Sequence, residues 1–251
     1  MNRDELVKYL DEYLKIAEIE DVSNNGLQVE GGEGVRKVAL AVDACREAFC
    51  RAEEAGAQLI IAHHGLFWGK PLLVRGIHRD RISLLLNGRI SLYAAHLPLD
   101  VHPEVGHNVQ LLQLLGLSPE DQWFGEYHGT LLGVKGRFPE PVPREDVVGK
   151  LEQALAAPMT VLPFGSETVT TVGVISGGAA DLAIQAFEAG VDLYLTGEPS
   201  HSVYHQVAER GLNVVYGGHY ATETLGLKAL AAHLSERFDL ETEFLHIPTG
   251  F

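Results

Sequence analysis

Short apolar runs rich in Val, Ile and Tyr alternate along this chain with stretches whose apolar residues recur at helical spacing. That alternation is the mark of β-α-β units and a largely parallel sheet, because a crossover helix returns each strand to the direction of the last. The pattern predicts strands at 36–43, 57–62, 90–94, 129–138, 170–176, 191–196, 212–217 and 239–247, with helices filling most of the gaps. Residues 118–165 break the rhythm. The prolines of "PEPVP" and "APMTVLPFG" punctuate a strand, a helix and a loop there, and the segment reads as a connection belonging partly to each half.

The pattern also repeats. "VALAVDACREAFCRAEEAGAQLIIAHH" (38–64) aligns without a gap on "VGVISGGAADLAIQAFEAGVDLYLTGE" (172–198), and "ISLYAAHLPLD" (90–100) lies on "NVVYGGHYATE" (213–223). The expected fold is therefore α/β, with two related lobes built on mostly parallel sheets. One lobe is expected over 1–120, carrying His63, His64 and Asp100, and the other over 121–251, carrying His219 and Glu223, in one continuous structural unit with the site between the lobes. On this alignment His63, His64, His96, Glu198 and His219 all fall at the carboxyl ends of strands, the edge where open α/β sheets bind ligands.

Composition narrows the partners. Hydrophobic residues make up 46 % of the 251, which suits a globular chain. A formal net charge of −15 argues against nucleic acid, whose phosphates need Lys and Arg. The N-terminal "MNRDELVKYLDEYLKIAEIE" mixes charged with apolar residues and lacks the apolar core of a signal peptide. No window approaches the roughly eighteen apolar residues of a membrane span, so a soluble, cytoplasmic protein is expected. Cys45 and Cys50 show neither C-x-x-C spacing nor a disulfide-rich pattern, in keeping with a reducing compartment.

Histidine is the unusual residue, with twelve copies. Successive side chains on an extended backbone point to opposite sides, so adjacent His63 and His64 chelate one ion poorly but can reach two. Gly65 lets the backbone bend close to whatever they hold. A strand-end pair bonded to carbonyls and water is the commoner explanation for an isolated His-His. "HLPLD" (His96 to Asp100) and "GGHYATE" place a carboxylate four residues after a histidine, and on a helix His219 and Glu223 stand one turn apart. Each alone also suits a cap or a surface pair. Together the clusters supply ligands for two ions, with Glu223 able to bridge, and imidazole plus oxygen donors suit Zn, Fe or Mn. Two such ions would acidify a bridging water into a hydroxide nucleophile, hence a hydrolase. Glu198 is a proton carrier, a partner for a ligand imidazole, or a helix-start carboxylate. His201 and His205 stand one turn apart, a spacing that an amphipathic surface explains as well, and His102, His107 and His128 carry no assignment. No G-x-x-x-x-G-K loop, G-x-S-x-G elbow or cysteine with a credible base is found.

The stretches "SNNGLQVEG" (23–31), "IIAHHGLFW", "YAAHLPLDVHPEVGHN" (93–108), "YLTGEPSH" (194–201) and "GGHYATE" together resemble the NIF-three-like proteins, the GTP cyclohydrolase 1 type 2 homologues, over essentially the whole chain. The resemblance implies a dinuclear site in which His63 and Asp100 hold one ion, His64 and His219 the other, and Glu223 bridges. It also implies a homohexamer, a trimer of dimers, with the sites facing an internal cavity, and the compact form without an inserted domain. The activity it implies is opening of the guanine ring of GTP with release of formate, in which His96 or Glu198 manages protons. A triphosphate calls for basic residues, and the chain has 19 against 34 acidic ones; Lys70, Arg75, Arg79 and Arg81 form the local candidate patch. Two alternatives stay open: a dinuclear-metal hydrolase of another phosphate- or amide-containing small molecule, and a metal-binding hexameric scaffold without turnover.

Overall fold

The computed structural model describes residues 1–251. Eleven strands follow one another: β1 (Gly26–Val29), β2 (Lys37–Asp43), β3 (Leu59–His64), β4 (Ser91–Ala94), β5 (Phe124–Tyr127), β6 (Thr130–Pro143), β7 (Thr160–Pro163), β8 (Thr168–Val174), β9 (Leu193–Thr196), β10 (Asn213–Tyr216) and β11 (Glu241–Phe244). The helices are α1 (Arg3–Tyr13), α2 (Arg46–Glu54), α3 (Ile77–Gly88), α4 (Leu97–Asp100), α5 (His107–Leu114), α6 (Arg144–Leu155), α7 (Ala183–Glu188), α8 (Tyr204–Arg210), α9 (His219–Thr222) and α10 (Leu225–Phe238). The mixed α/β class and the two sheets agree with the reading of the sequence.

The chain divides into two compact units, Met1–Leu99 with Leu227–Ile247, and Asp100–Gly226 with Pro248–Phe251. The cut at Leu99 and Asp100 differs from the 120/121 division expected above, and it places Asp100 in the second unit. The last strand returns to the first unit because β11 pairs in parallel with β2, from Glu241 opposite Lys37 to Phe244 opposite Leu40.

In the first unit the order is β1-β4-β3-β2-β11, parallel except for β1. β2 and β3 read as continuous apolar runs because both faces of a parallel sheet are covered; Val38 to Val42 and Leu59 to Ala62 are buried throughout. α2 adds Ala48, Phe49 and Ala52 to this core. The second unit is a mixed sheet, β5-β6-β8-β9-β10-β7, in which only β8, β9 and β10 run parallel. Its own core gathers Val172, Val174, Leu193, Leu195 and Val215 against Leu112 and Leu151.

The internal repeat holds at the level of register. Val38 pairs with Leu59 in one unit and Val172 with Leu193 in the other, as the ungapped alignment requires. The third strand is off by one: Ser91 pairs with Leu59 and Asn213 with Leu193, so residue 91, not 90, answers to 213. His219 is therefore the counterpart of Leu97, and His96 that of Gly218. After the shared "EAG", Gly56 and Gly190 both adopt positive φ (71° and 76°), the left-handed helix terminator.

Three strands lie outside the predicted set. β1 and β7 are antiparallel edge strands whose partners, β4 and β10, are distant in sequence. β7 ends in Pro163, tolerable at an edge where no ladder donor is required. β5 forms a hairpin with β6 through His128 and Gly129, at φ 47° and 82°, a two-residue turn with both residues in the left-handed region.

Candidate metal centre

In the first unit, three histidines gather at the carboxyl ends of β3 and β4. Although consecutive on β3, the rings of His63 and His64 do not diverge; their centroids lie 4.7 Å apart at 50°. His96 stands 5.1 Å from His63 and 5.6 Å from His64, and one ring nitrogen of each lies within 4.8 Å of the others.

Each ring is anchored the same way. The Nδ1–H of His63 donates to the Ala95 carbonyl at 2.9 Å, and His63 is fully buried. The Nδ1–H of His64 donates to Asp43 Oδ1 at 2.9 Å, across the register pair that ends β2 and β3. The Nδ1–H of His96 donates to Asp21 at 3.0 Å. A carbonyl or carboxylate can only accept, so the proton sits on Nδ1 and the lone pair of the neutral ring on Nε2. That arrangement orients imidazoles in metal sites and raises their basicity.

Asp21 is itself held tightly. It accepts from the Ser23 and Leu97 N–H groups, each at 3.0 Å, and from Asn25 Nδ2 at 2.8 Å. Burial pushes its carboxyl up, but the hydrogen bond and charge of His96, with those donors, bring it down to about 2. Asn25 Oδ1 in turn accepts the His96 N–H at 2.8 Å. Gln28 Oε1 takes the Leu66 N–H at 2.7 Å, fixing the turn after the paired histidines. Gly65 is required there, since a Cβ would stand 2.5 Å from the Gln28 amide and 2.6 Å from Ala94.

In the second unit the donors are Asp100, His219 and Glu223, with Glu198 behind them. The Nδ1–H of His219 donates to Glu198 Oε1 at 2.8 Å, and its Nε2 lies 3.1 Å from Glu223 Oε1. Glu223 is 3 % exposed. Burial lowers the pKa of His219, yet the Glu223 and Glu198 carboxylates raise it to about 9. Gly177, at φ 66°, makes room for this pair: a Cβ would collide with Glu223 Oε1 and stand 3.3 Å from His219 Nε2. Asp100 is buried and accepts from Ser176 Oγ at 2.8 Å, while Asn108 Oδ1 takes the Ser176 N–H at 2.7 Å.

Two other histidines are sorted out by the same bookkeeping. His107 lies within 4.8 Å of Asp100, but its Nδ1 accepts the Gly226 N–H at 3.0 Å. His102 Nδ1 accepts from Glu104 and Val105 N–H, each at 3.2 Å. A neutral ring that accepts through Nδ1 carries its proton on Nε2, although His107 still belongs, with Asp100, to a buried group able to hold an ion. His201 and His205 are exposed and belong to no cluster able to hold an ion.

The ligand candidates named from the sequence thus lie at or just beyond strand ends, each within its unit, and the His/Asp/Glu groups can hold metal ions. Sequence reasoning missed the anchors Asp21, Asp43, Asn25, Gln28, Asn108 and Ser176. The motif "SNNGLQVEG" contained two of them without showing what they bind.

Residues 1–249 match the model of Duf34/NIF3 (NGG1p interacting factor 3). The chain is 45 % identical over 250 residues to the "GTP cyclohydrolase 1 type 2 homolog" of Archaeoglobus fulgidus, covering 100 % of both chains. It is also 45 % identical over 251 residues to the like-named protein of Pyrococcus abyssi, again with 100 % of each covered. Among solved structures it is similar to a protein from Thermus thermophilus, at 49 % identity and a TM-score of 0.90 over 100 % of both chains.

Proposed function

Since the chain belongs to the Duf34/NIF3 family, we propose that it is a hydrolase using two divalent ions, acting on a purine nucleotide by ring opening of the GTP cyclohydrolase kind. In this reading His63 and Asp100 hold one ion, His64 and His219 the other, and Glu223 is shared. The observation that carries it is the anchoring of His63 and His64 through Nδ1, which turns each Nε2 toward ligation, with His219 held through Nδ1 in the same way and able to ligate once an ion displaces the proton from its Nε2. Imidazole with carboxylate suits zinc, iron or manganese. Bound there, divalent ions supply Lewis acidity and an acidified water.

The chain's own residues supply the rest. Asp21 fixes the His96 ring, so His96 Nε2 is the atom that takes up and returns a proton. Glu198 holds the His219 ring through Nδ1, which favours a positioning role for it over proton transfer. The buried Ser176 hydroxyl fixes the Asp100 carboxylate.

The reading extends to a cytoplasmic homohexamer of three dimers. The exposed run of Leu73, Val74 and Ile77 supports self-association, and light scattering on the purified protein should give the mass of six chains.

Elemental analysis of wild type beside His64→Ala, with a formate assay on GTP, tests the chemistry. Two ions per chain falling to one, with formate from wild type alone, is the expected result. A protein that takes up no zinc, iron or manganese sinks the reading. Two ions without formate would move the substrate to another phosphate- or amide-containing compound.

A further inference from the structure

Beside the imidazoles of the first unit lies a groove of about 470 Å³ lined by Val22, Leu66, Trp68, Lys70, Pro71 and Leu72. Its volume lies in the range of small-molecule sites. Its lining is apolar apart from one ammonium group, that of Lys70. Trp68 forms the boundary with the candidate metal ligands: its ring lies 5.1 Å from His96, nearly edge-on at 73°, and 6.1 Å from His64. The indole is fixed in place, since Nε1–H donates to the Gly65 carbonyl at 3.0 Å. Residues 68–70 are held by the Gly69 N–H, which donates to the Val22 carbonyl at 2.7 Å.

We propose that this groove seats the planar ring of a phosphate-bearing heteroaromatic substrate, the ring stacked on Trp68 and the phosphate met by Lys70. The inference rests on the hydrolase reading above and names the part of the chain that selects its substrate. An apolar slot walled by a fixed indole recognises a flat π-face. A single cation beside it recognises an anion that a chain of net charge −15 otherwise repels. A ligand seated this way shares Trp68 with the imidazoles, since the same indole lies 5.1 Å from His96 and 6.1 Å from His64. Of the basic patch expected from the sequence, Lys70 alone lines the groove; Arg79 is paired with Asp80 at 2.7 Å.

The test uses the full chain carrying Trp123→Phe, which leaves Trp68 as the one indole. Its fluorescence is titrated with GMP, guanosine and ribose 5-phosphate, in metal-free protein and after zinc loading. GMP should quench it, and ribose 5-phosphate should bind about tenfold more weakly or worse, the loss expected for one base stack. Lys70→Ala should weaken GMP and leave guanosine unchanged. Val22→Glu, at an exposed wall of the groove, should weaken GMP while zinc stoichiometry stays at the wild-type value. Equal affinity for GMP and ribose 5-phosphate overturns the proposal. So does quenching that follows protein concentration and ignores GMP, which would mean that a second copy of the chain fills the groove. Loss of base-dependent binding with zinc still bound rejects the groove alone. Base-dependent binding in protein that takes up no zinc supports the groove and rejects the dinuclear reading.

Discussion

A hydrogen bond from the Nδ1–H of His64 to Asp43, at 2.9 Å, helps to fix the ring's tautomer and orientation. Asp43→Ala removes it without touching the sheet core, so the ring loses its preferred tautomer and rotamer. Metal affinity should fall about 10–100-fold, the usual effect of losing such a partner. Competition with a chromophoric chelator measures this, and an unchanged affinity would mean that His64 is no ligand. Asp21 gives a prediction about pH. Its carboxyl is lowered in the folded state, so the stability it contributes is complete above its ordinary value and lost as pH falls through about 2. Asp21→Asn should therefore cost about 2 kcal/mol near neutrality. The gap from wild type should narrow between pH 5 and pH 2.5 in denaturant titrations. A gap that stays constant over that range would show that the loss is one of packing.

Among the elements, the turns after the parallel strands carry the strictest demands. Gly177→Ala meets both a left-handed backbone and the carboxylate of Glu223, and should destabilise by about 2 kcal/mol or more. Zinc binding should suffer with it, whereas Gly149→Ala, in α6 with open space around it, should leave zinc binding unchanged and add about 0.5–1 kcal/mol of stability. Calorimetry and metal titration of the two variants decide this. Such turns also mark where sequence reading stops. β2, β3, β8 and β9 were legible because strands buried on both faces read as unbroken apolar runs. β1, with "GLQV", was not, because its pairing partner β4 lies more than sixty residues away and four residues, two of them only half-buried, are too few to show a period. The histidines announced themselves by residue type. Asp21 and Asn25 did not, since nothing local distinguishes an aspartate that orients a distant imidazole from one on the surface. The repeat located the strand ends, yet its third strand was read one residue out, because the loop before β10 has a different length and periodicity alone cannot register across it.

At the scale of the whole molecule, 34 acidic residues against 19 basic ones mean that the folded chain works against its own charge. In the second unit Asp100 and Glu223 are both buried carboxylates, whose cost His219 and Ser176 offset in part and a divalent ion would offset further. Divalent ions should therefore stabilise the fold as well as serve chemistry. Zinc at about 100 times its dissociation constant adds roughly 2.7 kcal/mol of stability by mass action. For a chain of this length that is a rise in Tm of about 5–10 °C. Scanning calorimetry with excess chelator and then with excess zinc measures the difference. The two compact units can unfold in separate transitions, so both are followed. His64→Ala, with one ion's ligands broken, should show a smaller rise than wild type. If chelation and zinc leave every transition where it was, the buried carboxylates are stabilised by the protein alone, and the dinuclear reading loses its physical basis.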